Sequence, residues 1–124
     1  MAGELILIIE DNDKNLKLVR DVLQFNGYET AEAMTAEDGL VLARSRQPVL
    51  ILMDIQLPGM DGFAALRQLR ADPITKSTPV MAVTASAMER DRQKILEAGF
   101  DGYMTKPIQV KAFAEEIRTV LAKR

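Results

Sequence analysis

Five polar residues with side chains suited to metal binding and group transfer each follow, or end, a short apolar run. They are Glu10, Asp11, Asp54, Thr84 and Lys106. If each run is one strand of a parallel sheet, these residues meet at its carboxyl edge, where open α/β sheets bind their ligands. The pattern therefore predicts three carboxylates, one hydroxyl and one ammonium group at a single sheet edge. If the winding direction reverses beside the first strand, these groups meet in one crevice.

The crevice must accommodate its negative charge. Carboxylates about 4 Å apart repel each other by a few kcal/mol at the effective dielectric of a protein surface. They hold a proton, bind a cation or form an ion pair with Lys106. Magnesium suits the second option, because it takes a small number of carboxylates and keeps waters that a phosphate can replace. The residues therefore favour an oxygen-ligated cation.

Phosphoryl transfer is the chemistry that this set of residues could perform. Asp54 beside a cation could act as a nucleophile and form an aspartyl phosphate. Lys106 and the metal would neutralise charge, and Thr84 would donate a hydrogen bond to a phosphoryl oxygen. The alternative is a plain acidic patch with a helix-capping threonine and a surface lysine. That alternative does not explain why all five residues stand at strand ends.

The composition excludes several other kinds of site. The chain has no cysteine and no histidine, which excludes thiol chemistry, Ser–His catalysis and imidazole metal ligation. Its 16 basic and 18 acidic residues give no electrostatic reason to expect nucleic acid or an anionic membrane as a partner. No apolar run reaches the roughly 20 residues of a membrane span, and no signal peptide is recognised. We therefore expect a cytoplasmic protein.

The elements that position these residues alternate between strand and helix about five times, which predicts a parallel α/β sheet. Unbroken apolar runs suit strands covered on both faces, whereas the mixed run at 28–33 suits a sheet edge. Strands are predicted at 5–9, 28–33, 49–54, 80–83 and 101–105, and helices at 14–26, 36–46, 61–70, 87–98 and 110–123. We expect a single domain over residues 1–124.

Capping residues and apolar spacing describe the helices further. Thr35 and Asp61 are predicted N-caps, and Ser86 with Glu89 has the spacing of a capping box. The helix after Ser86 carries many charges and a narrow apolar stripe, which fits either a solvated face or a partner surface. The last helix is expected to bury five apolar residues, Val110, Phe113, Ile117, Val120 and Leu121.

Four motifs together resemble the response-regulator receiver domain of two-component signalling, over essentially the whole chain. They are Glu10-Asp11 after LILII, Asp54 within ILMDIQLPGMDG, Thr84-Ala85 after VMAV, and Lys106-Pro107 in YMTKP. The resemblance implies a flavodoxin-like (βα)5 fold, with a doubly wound five-stranded parallel sheet in the order 2-1-3-4-5. The combination is specific, although each motif alone is not.

The resemblance also implies roles for the site residues. Asp54 would be phosphorylated from the phosphohistidine of a histidine kinase or a histidine phosphotransfer protein. Magnesium would be bound by Asp11, Asp54 and the backbone carbonyl of Gln56, with Glu10 holding a metal-bound water.

Thr84 and Tyr103 would form a switch pair, and the Lys106-Pro107 peptide would be cis. The output would be phosphorylation-dependent binding of a downstream protein through the surface of the fourth helix, fifth strand and fifth helix.

The expected protein is a single receiver domain without an output domain, and a regulatory phosphoacceptor rather than an enzyme. The segment 79–108 resembles stand-alone regulators of the cell-division type and also receivers attached to hybrid kinases. The chain could equally be a receiver excised from a hybrid histidine kinase or an intermediate in a phosphorelay.

Three other classes of protein remain as alternatives to a phosphorylated receiver. A magnesium-dependent phosphatase would use the same nucleophile, but it normally needs an acid–base carboxylate where this chain has Gln56. A flavodoxin-like cofactor binder would need a loop rich in Ser, Thr and Gly after the first strand, where this chain has the acidic EDNDKN. A receiver-like module that binds partners without phosphorylation is the hardest alternative to separate, because a complete site does not prove its use.

Overall fold

Five strands and five helices alternate along the residues that the computed structural model describes, 3–85 and 88–123. The strands are β1 (Leu5–Ile9), β2 (Glu29–Ala33), β3 (Leu50–Asp54), β4 (Val80–Thr84) and β5 (Gly102–Thr105). The helices are α1 (Asp13–Phe25), α2 (Ala36–Arg46), α3 (Gly62–Ala71), α4 (Glu89–Ala98) and α5 (Val110–Ala122). The five predicted strands and five predicted helices are therefore confirmed.

The strands form one sheet in the order β2-β1-β3-β4-β5, and all neighbouring strands are parallel. This order confirms the flavodoxin-like doubly wound fold, and it places the mixed strand β2 at an edge. The winding direction reverses at β1, whose carboxyl end lies beside that of β3. Folds of this kind bind their ligands at this point of reversal.

Alternate residues of the strands face opposite layers of helices. Ile6 and Ile8 of β1 belong to a buried cluster with α1 and α5, whereas Leu7 and Ile9 belong to a cluster with α2, α3 and Ile95 of α4. Because both faces are covered, β1, β3 and β4 are apolar throughout until their last residues. The first polar residues after each run are thereby held at the edge of the sheet.

The helix starts follow the predicted capping residues in two cases. The side chains of Thr35 and Asp61 accept hydrogen bonds from the backbone N–H groups of the third residues after them, as predicted for N-caps. The predicted capping by Ser86 lies outside the described residues. Helix α4 is described from Glu89, with Met88 at the N-cap position and no side-chain capping hydrogen bond among the described residues.

One apolar prediction for α5 is wrong. Val110 is 52% exposed, whereas the other four predicted residues are buried. The apolar spacing identifies the inward face of a helix, but it does not tell how far along the helix the neighbouring layer reaches. Val110 stands in the first turn of α5, beyond the part of the helix that the neighbouring layer covers. None of the helices in the described ranges has the length and apolarity to span a bilayer.

Candidate functional site

Asp54 is a buried carboxylate at the carboxyl end of the central strand β3, and it is 4% exposed. The backbone N–H of Gln56 donates to its Oδ1 at 2.8 Å, and the ammonium of Lys106 donates to its Oδ2 at 2.9 Å. These two bonds hold the carboxylate in one orientation. A fixed and desolvated carboxylate of this kind is suited to act as a nucleophile toward an electrophile that approaches the edge of the sheet.

Lys106, which follows β5, contacts residues at the carboxyl ends of β1, β3 and β4. Its backbone N–H donates to the carbonyl of Thr84 at 2.7 Å, and its Nζ lies 3.1 Å from Glu10 Oε1. The peptide between Lys106 and Pro107 is cis, as predicted. Burial lowers the pKa of Lys106, but hydrogen bonds to Asp54 and Glu10 outweigh it and raise the pKa above its usual value. Lys106 is therefore a constant positive charge in the site.

Glu10, Asp11 and Asp54 form the acidic cluster predicted from the strand ends. One carboxylate oxygen from each lies within 4.8 Å of the others, with Glu10 and Asp54 buried and Asp11 exposed. Three carboxylates face one lysine, so the cluster keeps an excess of negative charge when all three are ionised. All of its ligand atoms are oxygens, which is the donor set of a hard divalent cation. The residues present therefore fit such an ion.

The crowding of carboxylates and their burial change the pKa of Glu10. Burial and, after it, the hydrogen bond with Asp54 together raise the pKa of the Glu10 carboxyl to about 7, against the lowering effect of Lys106. The backbone N–H of Asn12 also donates to Glu10 Oε2 at 3.2 Å. The ion pairs with Lys106 relieve part of the repulsion in the crevice, and the raised pKa makes Glu10 the carboxyl that takes up a proton more readily than an ordinary glutamate does.

Thr84 and Tyr103 lie on the same face of the sheet. Tyr103 pairs with Ala82 in the register of β4 and β5, and Thr84 follows Ala82 by two residues. Residues two apart in a strand point to one face, and that face is the one that α4 covers through Ile95. Thr84 is 4% exposed. The register therefore places Thr84 and Tyr103 on the sheet face that α4 covers, and their role as a switch pair stays a prediction.

A cleft of about 140 Å³ opens beside these residues, between the loop after β3 and helix α4. Thr84 and Gln56 line it together with Ile55, Phe63 and Ile95. Gln56 is exposed, and the role of its carbonyl as a metal ligand stays a prediction. Tyr103 does not belong to the carboxylate cluster. The guanidinium of Arg92 lies over its ring.

Two residues support the site without having been assigned a role from the sequence. The side chain of Asn12 accepts from the N–H of Asn15 at 3.0 Å and begins α1 directly after the acidic pair. Gly62 allows α3 to begin against the loop after Asp54, because a Cβ there would lie 2.9 Å from the Cα of Ile55. An asparagine before a helical apolar pattern was a usable signal for the first, whereas the close approach at Gly62 is visible only in the fold.

Comparison with protein families gives a match over nearly the whole chain. The family described as the response regulator receiver domain matches residues 6–118. The polar-differentiation response regulator DivK of Brucella ovis is 43% identical over 116 residues, which is 94% of this chain and 94% of that protein.

Solved structures with the same fold include receivers of two kinds. The receiver domain of the sensor histidine kinase PA1611 from Pseudomonas aeruginosa, which has a magnesium ion in its active-site cleft, is 30% identical with a TM-score of 0.89 and covers 98% of this chain and 99% of that one. A CheY-like receiver domain protein from Methanospirillum hungatei is also 30% identical, with a TM-score of 0.87, over 98% of this chain and 96% of that one.

Proposed function

The chain belongs to the response regulator receiver family, and on that premise we propose that Asp54 is the residue that takes up the phosphoryl group. The observation that carries the proposal is the geometry of this carboxylate. It is buried, it is oriented by Gln56 N–H and the Lys106 ammonium, and it stands beside two further carboxylates at the reversal point of the sheet.

The proposed reaction is transfer from a phosphohistidine. An oxygen of the ionised Asp54 attacks phosphorus, the P–N bond breaks, and the imidazole nitrogen keeps the electron pair. The product is an acyl phosphate on Asp54. The Lys106 ammonium neutralises one negative charge of the phosphoryl group, and the Thr84 hydroxyl donates a hydrogen bond to one of its oxygens. These contacts matter because phosphoryl transfer depends mainly on positioning and charge neutralisation. These 124 residues contain no histidine, so the phosphohistidine lies outside them, in a histidine kinase or a histidine phosphotransfer protein.

We assign the cation of the acidic cluster as Mg²⁺. Asp11, Asp54 and the Gln56 carbonyl would hold it, with Glu10 acting through a water, and the oxygen-only donor set supports this assignment. When bound, the ion supplies positive charge to the phosphoryl oxygens. The receiver of PA1611 offers a precedent, because magnesium lies in its active-site cleft.

The proposed output is binding of a downstream protein through the face formed by α4, β5 and α5, under the control of Thr84 and Tyr103. The shared face of these two residues supports their coupling. We further propose a regulatory phosphoacceptor in the cytoplasm rather than an enzyme with its own substrate. The match to 94% of DivK supports a receiver that works without an attached output domain, and the match to the PA1611 receiver supports a hybrid-kinase receiver as the second candidate.

Phosphoramidate tests the assignment of Asp54, because its P–N bond resembles that of the proposed donor. Asp54→Asn should abolish phosphoryl uptake, measured by intact mass, while circular dichroism shows a retained fold. Asp13→Asn is the matched control, because Asp13 is an exposed aspartate of α1, and it should leave uptake unchanged. Uptake at another residue in Asp54→Asn would overturn the assignment.

Lys106→Ala tests the coupling between the site and the output face. The variant should still form the phosphoryl adduct but should lose the change in the Tyr103 backbone resonance that magnesium and beryllofluoride cause. Lys111→Ala removes an exposed lysine of α5 and should respond like the unchanged protein. A Tyr103 response in Lys106→Ala equal to that of the unchanged protein would count against the proposed role of Lys106.

A further inference from the structure

Helix α4 buries little of its surface against the sheet. Ile95 is its one buried residue, and all ten residues of α4 belong to the described part of the chain. Six of the ten are charged, namely Glu89, Arg90, Asp91, Arg92, Lys94 and Glu97. A segment with so little buried apolar surface opens or shifts at low free-energy cost. Each individual contact between α4 and the sheet therefore has a large share in deciding where the helix lies.

One such contact joins Arg92 of α4 to Tyr103 of β5. The guanidinium carbon of Arg92 lies 5.7 Å from the centroid of the Tyr103 ring, within the distance at which a cation is attracted to the ring face. Arg92 also donates to Glu89 Oε1 at 3.0 Å, one turn earlier on the same helix. The ring is thus covered by a guanidinium whose position is itself fixed by an ion pair.

Arg92 contacts the ring of Tyr103, which is the proposed switch residue. Tyr103 is partly buried against the cluster of residues that includes Ile95, and it lines a surface groove together with Arg92, Leu96 and Thr105. Any rotation of the ring away from this groove toward the interior would break the contact with Arg92. The ring orientation and the Arg92 contact therefore depend on each other.

We propose that Arg92 is a positioning residue for Tyr103, whose guanidinium holds the ring in the outward orientation and so opposes the active state of the unphosphorylated protein. Glu89 assists by fixing the guanidinium. The inference rests on the proposed function, in which phosphorylation of Asp54 draws Thr84 toward the phosphoryl group and the Tyr103 ring rotates inward into the space that Thr84 leaves. It adds a residue of α4 that sets how readily that rotation occurs.

The size of the effect follows from the exposure of the contact. The Arg92 side chain is 44% exposed, and cation–ring attraction at such sites shifts an equilibrium about two- to fivefold. Removing it should increase the inward population of Tyr103 by that factor. Ligands that favour the active state should then bind more tightly by up to the same factor, because less of their binding energy is spent on the conformational change.

The experiment is a beryllofluoride titration of ¹⁵N-labelled protein in the presence of magnesium, followed by NMR. In Arg92→Met, the Tyr103 backbone resonance of the free protein should move along the line that joins the free and saturated positions of the unchanged protein. The half-saturating concentration should fall about two- to fivefold. Arg92→Lys should fall between the two proteins, because it keeps the charge but loses the planar group that stacks on the ring.

Arg90→Met is the matched control, because Arg90 is an exposed arginine on the same helix, and it should behave as the unchanged protein. A purely structural role would move the Tyr103 resonance off that line and leave the half-saturating concentration unchanged, and this result would overturn the role of Arg92 alone. Absence of any response in the unchanged protein would overturn the proposed function, and the inference with it.

Discussion

Helices α1 and α4 both begin within a few residues of the carboxylate site, yet they are attached to the molecule in different ways. Helix α1 is capped by the Asn12 side chain and buries four apolar residues, Leu16, Val19, Val22 and Leu23. Helix α4 has Met88 at its N-cap position, lacks a side-chain cap among the described residues, and buries Ile95 alone. Four buried side chains thus anchor α1 in the core, whereas a single buried side chain anchors α4.

The difference corresponds to what each helix must do. Helix α1 follows Glu10 and Asp11, whose carboxylates must keep their positions to bind a cation. Helix α4 follows Thr84, the hydroxyl that the proposal couples to the phosphoryl group. A fixed half of the site next to a loosely held helix is a suitable arrangement for converting a local charge change into a surface change.

The largest expected difference between the two helices is in core packing. Leu23→Ala in α1 should lower the free energy of unfolding by about 2–5 kcal/mol, because Leu23 is 1% exposed and its loss leaves a cavity. The same truncation of Leu96 in α4, which is 41% exposed, should cost less than about 0.5 kcal/mol. Urea denaturation measures both. Equal losses in the two variants would contradict the account.

The next effect is the pH dependence that Glu10, which precedes α1, gives to the free energy of unfolding. The folded protein raises the pKa of Glu10 to about 7 from an ordinary value of 4.5. Between these values the folded state binds more protons than the unfolded chain, so its stability is highest at the acidic end and falls as pH rises through 7. The loss should approach about 3 kcal/mol by pH 8 in the presence of a chelator.

Glu10→Gln isolates this effect. Denaturation between pH 5 and pH 8 should become nearly flat in this variant, because glutamine does not titrate. Glu115→Gln changes an exposed glutamate of α5 and should keep the slope of the unchanged protein. Stability that instead increases with pH in the metal-free protein would show that the sign of the Glu10 shift is wrong.

The caps should give a smaller difference. Asn12→Ala removes the acceptor of the Asn15 N–H and should cost about 0.5–2 kcal/mol of stability. Met88→Ala removes no capping hydrogen bond and should stay within about 0.5 kcal/mol. Thermal denaturation of the two variants under one set of conditions makes the comparison. A greater loss from Met88→Ala would mean that α4 is anchored at its start after all.

The smallest expected effect comes from adding a capping side chain at position 88, where no side-chain capping hydrogen bond is found among the described residues. Met88→Asp supplies a side-chain acceptor and should stabilise α4 locally by a few tenths to about 1 kcal/mol. Hydrogen exchange of the α4 amides should slow by up to about fivefold, while exchange in α1 stays the same. Unchanged exchange of the α4 amides would contradict the view that a capping side chain at this position stabilises the helix.

Much of this molecule was predictable because its three central strands, β1, β3 and β4, are buried on both faces. The runs that end in Glu10, Asp54 and Thr84 could be recognised as strands from their unbroken apolar character, and the parallel topology then brought their ends together. The caps of α2 and α3 could be predicted because Thr35 and Asp61 act on N–H groups only three residues away. The apolar runs and the capping residues thus predicted the parallel α/β class and the members of the acidic cluster, whereas the strand order was predicted from the resemblance to receiver domains.

The features that could not be predicted arise from contacts between distant segments. The exposure of Val110 depends on where the neighbouring layer ends, and the raised pKa of Glu10 depends on its burial beside Asp54 and Lys106. The contact of Arg92 with Tyr103 joins a helix to the next strand. Periodicity identifies the face of a helix but not which side chain of another element it meets.

Phosphoryl uptake from acetyl phosphate, followed by intact mass, tests the central claim most directly. The account predicts one added phosphoryl group that requires magnesium, disappears with a chelator and is absent in Asp54→Asn. An adduct that persists in Asp54→Asn, or that forms equally well with the chelator, would contradict it.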